Sequence, residues 1–210
     1  MKQKFDAIIF DVDGTLWDST DVAASAYNEI FVREKLPYHV DADDLKKLFG
    51  KPMDEIFSII CPGCEAAYLK TLADDCMAVE NAELEKGCCD YYPGVHETIE
   101  ALSKEMPVFI VSNCQKGYIE IMLQRRHMEP FIKDFLCFGD TGTSKGQTIL
   151  TLMKKHGLTH PVYVGDTAGD EEACHEAGIP AIYCAYGFGI MEKPYAKINS
   201  IAELKEMFLN

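Results

Sequence analysis

Long apolar runs are missing from this chain of 210 residues, and none approaches the roughly 20 consecutive apolar residues that span a bilayer. Basic residues are few: 20 Lys and Arg face 34 Asp and Glu, a formal charge of −14. A field of that sign repels nucleic acid and anionic membrane surface, so neither is expected as a partner. It also repels phosphorylated molecules unless positive charge is supplied locally. The N-terminal MKQKFDAIIFDVDG has lysines followed by a short apolar stretch, but Asp6 interrupts it and Asp11 follows at once, which is no cleavable export signal. The cytoplasm is the expected compartment.

A disulfide framework is also missing. The nine cysteines are an odd number, and in a cytoplasmic chain they are expected as reduced thiols. Cys61-Pro-Gly-Cys64 and Cys88-Cys89 invite comparison with a zinc site, but the second pair lacks the usual two-residue gap. Buried or idle thiols are the reading. There is no internal repeat, low-complexity tract or flexible linker, and no heptad pattern, so the chain is expected as a monomer or small homo-oligomer.

What is present is an alternation of short apolar runs and helical patterns. Ala7–Phe10 is a continuous apolar run bounded by aspartates, as suits a strand buried on both faces of a parallel sheet. After Pro93-Gly94 a helix over 95–104 leads to a strand at 107–111, and a helix over 117–127 to a strand at 135–138. Ser144-Lys-Gly-Gln147 has the form of a capping box and opens a helix to about residue 156. A strand at 162–164, a helix over 171–177 and a strand at 181–184 follow, and Ser200-Ile-Ala-Glu203 is a second capping box opening the last helix. Strands alternating with helices predict the α/β class, with a doubly wound parallel sheet. Residues 18–88 break the alternation. They show helical spacing (Val22, Ala26, Ile30; Ala66, Leu69, Leu72, Cys76, Val79) and no convincing strand. The expected organisation is a core of residues 1–17 and 89–210 carrying an inserted helical subdomain, 18–88.

In open parallel sheets ligands bind beyond the carboxyl ends of the strands. The first strand ends in Asp11-Val-Asp13-Gly-Thr15, the second in Ser112-Asn113, and the strand at 162–164 in Gly165-Asp166-Thr-Ala-Gly-Asp170, while Lys145 opens a helix. Carboxylates crowded in one place need a cation, and oxygen ligands of this kind suit magnesium. Lys145 offers a point charge to phosphate and Ser112 a hydrogen bond. The set would hold a phosphoryl group beside a nucleophilic carboxylate. Singly, these acids would read as solvated loop residues.

FDVDGTLWDS at 10–19, VSN at 111–113, Lys145 and GDTAGD at 165–170 are similar, in order, to the four signatures of haloacid dehalogenase superfamily phosphatases. Tyr186-Gly-Phe-Gly189 resembles a late segment of the phosphoglycolate-phosphatase-like members, and the likeness extends from residue 5 to about 190. The resemblance implies a Rossmann-like core with a helical cap, and a hydrolase acting on a small phosphorylated metabolite with Mg²⁺ as cofactor. Asp11 would attack phosphorus and form an aspartyl phosphate. Asp13 would serve as general acid and base. The metal would be held by Asp11 and Asp166 and by the backbone carbonyl of Asp13, with Asp170 acting through a water or by orienting its neighbours. Ser112, Asn113 and Lys145 would hold the phosphoryl oxygens. Asp at position 13 favours phosphate esters over carbon–halogen bonds, whose cleavage needs no acid for an alkoxide.

Two alternatives remain open. One is a phosphosugar mutase resembling β-phosphoglucomutase, although Thr143-Ser-Lys-Gly-Gln147 lacks the proline-rich continuation of many such relatives. The other is a non-catalytic metal- and phosphate-binding protein. Lys51, between two expected cap helices, is a candidate specificity residue and equally a solvated lysine. Trp17 reads as a core residue, with a hinge or site wall as its other reading; the histidines form no ligand pattern.

Overall fold

A computed structural model of the chain describes residues 5–209. In chain order the elements are β1 (Ala7–Phe10), α1 (Thr20–Arg33), α2 (Ala42–Lys46), α3 (Met53–Ile60), α4 (Ala66–Glu85), α5 (Val95–Ser103), β2 (Val108–Ser112), α6 (Tyr118–Gln124), β3 (Asp134–Cys137), α7 (Phe138–Thr141), α8 (Lys145–His156), β4 (Pro161–Gly165), α9 (Ala168–Ala177), β5 (Ala181–Cys184), β6 (Ala196–Ile198) and α10 (Glu203–Leu209). The six strands form one sheet in the order β3-β2-β1-β4-β5-β6, every pair parallel. From β1 the chain adds β2 and β3 on one side, then crosses to add β4, β5 and β6 on the other. That reversal places a crevice at the carboxyl end of β1.

The continuous apolar runs follow from burial on both faces. Ile8 and Phe10 of β1, with Val108, Ile110, Val162 and Val164 of its neighbours, pack beneath α5, α6 and α10. The alternate residues Ala7, Ile9, Phe109, Val111 and Tyr163 pack on the other face, against Ile149 and Leu152 of α8 and Ala173 and Ala177 of α9. The four helices α1 to α4 lie between β1 and α5 in the chain and carry a hydrophobic cluster of their own, which includes Tyr27, Phe31, Leu45, Phe57 and Leu72. Cys61 and Cys76 belong to that cluster, whereas Cys89 packs in the core of the sheet and Cys88 is exposed.

The structure departs from the sequence expectations at element ends. The second helix of the core stops at Gln124, because Arg126 and His127 turn into positive φ near 55°. Ser144 does cap α8, accepting from the Gln147 N–H at 3.2 Å, but the Gln147 side chain turns to Glu176 instead of closing the box. The second expected box is not formed: α10 starts at Glu203, Ser200 accepts from Ala202, and Glu203 accepts from Asn199. The unexpected β6 is three residues long, too short for a period to register.

The packing sets an expectation for stability. Ile9 is fully buried at the centre of the sheet, so Ile9→Ala is expected to cost about 2–5 kcal/mol in urea unfolding. Val32 on α1 is 78% exposed, and Val32→Asp should stay within about 0.5 kcal/mol of the parent. Equal effects at the two positions would contradict this division of core and surface.

Candidate active site

The carboxyl ends of β1 and β4 deliver the acids, and the start of α8 delivers the base. Asp11 follows Phe10 directly and its backbone N–H donates to the Val164 carbonyl at 2.9 Å, continuing the sheet ladder up to the site. Lys145 is the first residue of α8 and is 5% exposed; its Nζ lies 3.0 Å from Asp11 Oδ2 and 2.6 Å from Asp170 Oδ1. Asp170 also closes a capping box at the start of α9, its Oδ2 accepting from the N–H groups of Asp166 and Thr167 and from the Thr167 hydroxyl. One acid thus holds both the buried lysine and the loop after β4.

Asp166 is fixed by a different set of contacts. Its Oδ1 accepts from the Thr15 hydroxyl at 3.3 Å and its Oδ2 from the Phe188 N–H at 2.7 Å. Gly14 and Gly187 let two loops close around it: a Cβ at Gly14, where φ is +77°, would lie 2.2 Å from Asp166 Oδ2, and one at Gly187 2.3 Å from the Asp166 Cβ. A left-handed turn and a close approach both require the missing side chain at Gly14.

Oxygens of Asp11, Asp166 and Asp170 all lie within 4.8 Å of one another, and all three residues are buried. Lys145 is the one cation in direct contact with this cluster among the described residues. Asp11 Oδ1, buried, has no hydrogen-bond partner among them. Surplus negative charge and an unpaired carboxylate oxygen, both out of water, are costly. The donor set fits a hard divalent cation such as magnesium, with Asp11, Asp166 and Asp170 as the residues able to hold it.

The electrostatics agree. Burial pushes Asp11 up to about 7, helped by the charge of Asp170 and opposed by Lys145. Burial likewise raises Asp166 well above the usual carboxylate range. Burial would raise Asp170 too, but Lys145 and the Thr167 hydrogen bonds bring it below its ordinary value. Lys145, which burial would lower, is held above the normal lysine range by Asp11 and Asp170.

Asp13 stands apart from the cluster. Its Oδ1 accepts from the Tyr118 hydroxyl at 2.5 Å, the Ser19 hydroxyl at 3.0 Å and the Trp17 indole N–H at 3.2 Å. Burial pushes it up to about 6 against the pull of those three donors. Its carboxylate is no part of the candidate metal cluster; the expected metal ligand at Asp13 is its backbone carbonyl. Trp17 is fully buried in the core, as read, and also bonds Asp13.

Ser112 is buried on the pocket wall beside Asp11 and Asp13, and Asn113 is half-buried with its amide donated to the Gly50 carbonyl at 2.7 Å. Asn113 thus links the core to the loop before α3. Lys51 also borders this pocket, but its Nζ is paired with Glu55 in the next turn. The sequence reading gives no role to Ser19 or Phe188, although both lie in the quoted signatures, and it does not reach Tyr118 or the acid Glu80; all four share the site or its walls. The two residues at 18 and 19 were a usable signal for Ser19; a tyrosine 105 residues from Asp13 left none.

A family model for haloacid dehalogenase-like hydrolases matches residues 8–184. The chain belongs to the haloacid dehalogenase-like hydrolase family. Among curated relatives, a phosphoglycolate phosphatase of Vibrio vulnificus is 26% identical over 233 residues, covering 99% of this chain and 98% of that protein. One from Agrobacterium fabrum is 26% identical over 190 residues, covering 86% and 80%. Two solved structures share the fold: a haloacid dehalogenase-like family protein from Streptococcus pneumoniae, with TM-score 0.84, 21% identity and coverage of 97% and 98%, and a predicted phosphatase from Clostridium acetobutylicum, with TM-score 0.86, 18% identity and coverage of 99% of each. The fold is therefore shared with these two structures across nearly the whole chain.

A pH dependence follows from the raised acids. A carboxyl whose pKa is about 7 when folded and near 3.8 when unfolded favours the fold most below the lower value and loses that contribution as pH rises through the upper one. The chelated protein should therefore melt at a lower temperature at pH 8 than at pH 5.5. Magnesium, which competes with protons for the same oxygens, should narrow the difference by stabilising the protein at pH 8 and hardly at pH 5.5. Thermal melts in chelator and in magnesium at both pH values check this; equal magnesium stabilisation at the two would contradict the assignment of the cluster.

Proposed function

We propose that this protein is a magnesium-dependent phosphatase that hydrolyses a small phosphomonoester through a phosphorylated Asp11. The observation that carries the reading is Lys145 buried between Asp11 and Asp170, with Asp166 closing a cluster whose negative charge exceeds its positive charge. Asp11 Oδ1 is the unpaired oxygen and serves as the nucleophile. It bonds to phosphorus as the ester P–O bond breaks, and the proton on Asp13 passes to the departing alkoxide. A water then attacks the same phosphorus, giving its proton to Asp13, and the bond from phosphorus to Asp11 breaks to release inorganic phosphate.

Ser112 and Lys145 hold the phosphoryl oxygens, and Asp170 keeps Lys145 in position. A divalent cation bound by Asp11 and Asp166 would supply further neutralisation of phosphoryl charge, which is the larger part of catalysis in such transfers. A pKa near 6 lets Asp13 exist in both forms near neutrality, as an acid that becomes a base requires. The hydroxyls of Tyr118 and Ser19 hold one of its oxygens and leave the other free for the substrate.

Residues 18–88 act in this reading as a cap on a core of 1–17 and 89–210. The cavity between Asp11 and the helical segment is about 30 Å³, room for about two waters. A phosphomonoester enters when the helices move away, and their return excludes bulk water during the chemistry. The curated relatives' names make phosphoglycolate a first substrate to try. The cytoplasm remains the expected compartment; no helix among the described residues is long and apolar enough to cross a membrane.

Asp11→Asn should lower phosphate release from any ester by roughly a thousandfold or more. Asp13→Asn should impair alkyl phosphates by about 10²–10⁴-fold and an aryl phosphate, whose leaving group needs no proton, far less. Phosphate release assayed on both ester types checks this. Activity that survives in Asp11→Asn overturns the proposal.

A further inference from the structure

Glu80 is an acid on α4 with no part in the steps above, yet it is 2% exposed and lines the same cavity as Asp11 and Asp13. The Tyr27 hydroxyl donates to its Oε2 at 3.1 Å, and the Gln115 amide donates to the same oxygen at 3.3 Å. Both protein hydrogen bonds to Glu80 thus end on Oε2, and Oε1 has none among the described residues. Gln115 is itself held by the Asn81 side chain at 3.0 Å, so the acid sits in a built wall rather than on a mobile surface. That second oxygen is left for water or for a ligand in the cavity.

The cavity supplies no cation to offset this acid. Lys145 is spent on Asp11 and Asp170. Lys51 at the rim is paired with Glu55, and Lys46 and Lys47, along the adjoining groove, are paired with Asp18 and Asp44. A substrate whose alcohol portion ends in a carboxylate would bring that charge out of water against Glu80 with no free cation beside it, which is costly whether Glu80 is ionised or not. A hydroxyl suits the wall in either protonation state of Glu80, because it donates to a carboxylate and accepts from an acid. Burial, with the charge of Asp13, pushes Glu80 up to about 8, so the acid form is available near neutrality.

We propose that Glu80 is a specificity residue that hydrogen-bonds a hydroxyl group on the alcohol portion of a small phosphomonoester and turns away carboxylated esters, phosphoglycolate among them. The inference rests on the phosphatase reading and on the closed arrangement of α4 over the cavity. It sets the substrate class apart from the one that names the curated relatives.

The test is a set of size-matched esters assayed with magnesium: 2-hydroxyethyl phosphate, phosphoglycolate, 2-aminoethyl phosphate and ethyl phosphate, with an aryl phosphate alongside. Wild-type protein should favour 2-hydroxyethyl phosphate over phosphoglycolate by at least about tenfold in kcat/KM, and over ethyl phosphate as well. Glu80→Gln, which keeps the shape and removes the acid, should shrink the hydroxyl-to-carboxylate ratio several-fold. Because both rates come from one preparation, loss of folded protein cancels from the ratio. Phosphoglycolate turned over as well as the hydroxyl ester, a ratio unmoved by Glu80→Gln, or a preference for the aminoethyl ester would each overturn the assignment while leaving phosphatase activity in evidence. No phosphate release from any ester, the aryl phosphate included, would instead overturn the phosphatase reading and this inference with it.

Discussion

Lys145, buried between two aspartates, is the contact on which the rest of this site depends. An ammonium group leaves water at a high cost unless opposite charge meets it, and Asp11 and Asp170 meet it from two different elements. The contact ties the end of β1, the start of α8 and the start of α9 into one unit. It also sets a limit, since one lysine cannot balance Asp11, Asp166 and Asp170 together. Burial raises Asp11 and Asp166, and the charges of the neighbouring aspartates add to the rise. A cation or a set of protons has to relieve the imbalance, and the pH decides between them.

The sheet transmits this requirement to the sequence. Parallel strands buried on both faces read as unbroken apolar runs, and their ends were legible because a charged residue follows at once, as Asp11 follows Phe10 and Asp166 follows Gly165. Acids at strand ends are therefore readable as a set from the sequence alone. Contacts between distant segments are not. Tyr118 reaches Asp13 across 105 residues, and Asn113 reaches Gly50 across 63. Neither partner carries a local pattern that names the other. The capping box expected at Ser200 failed because the side chains there bond other backbone groups, and a four-residue motif does not say which of its donors will be free.

Glu80 shows the same limit in another form. On α4 it reads as one polar position among several, and only the packing of that helix over the cavity makes it a buried acid facing the chemistry. Directed contacts join the core and the four helices, among them Asn113 with Gly50, Gln115 with Glu80 and Asn81, and the Phe49 and Phe188 rings at 6.3 Å. In the proposed reading, reaction type is written at the edge of the sheet and substrate choice on the far wall. Under the proposals above, such a separation would let a chain 26% identical to two curated relatives keep one reaction type and differ in substrate.

The most direct test of the account is to look for the phosphoryl group on Asp11. Wild-type protein would be mixed with magnesium and a radiolabelled phosphomonoester that it turns over, quenched in acid within a single turnover, and its labelled peptide mapped. Label on the peptide carrying Asp11, lost on treatment with hydroxylamine and absent from Asp11→Asn, is the result predicted. Turnover without label on the protein, or label on another residue, would contradict it.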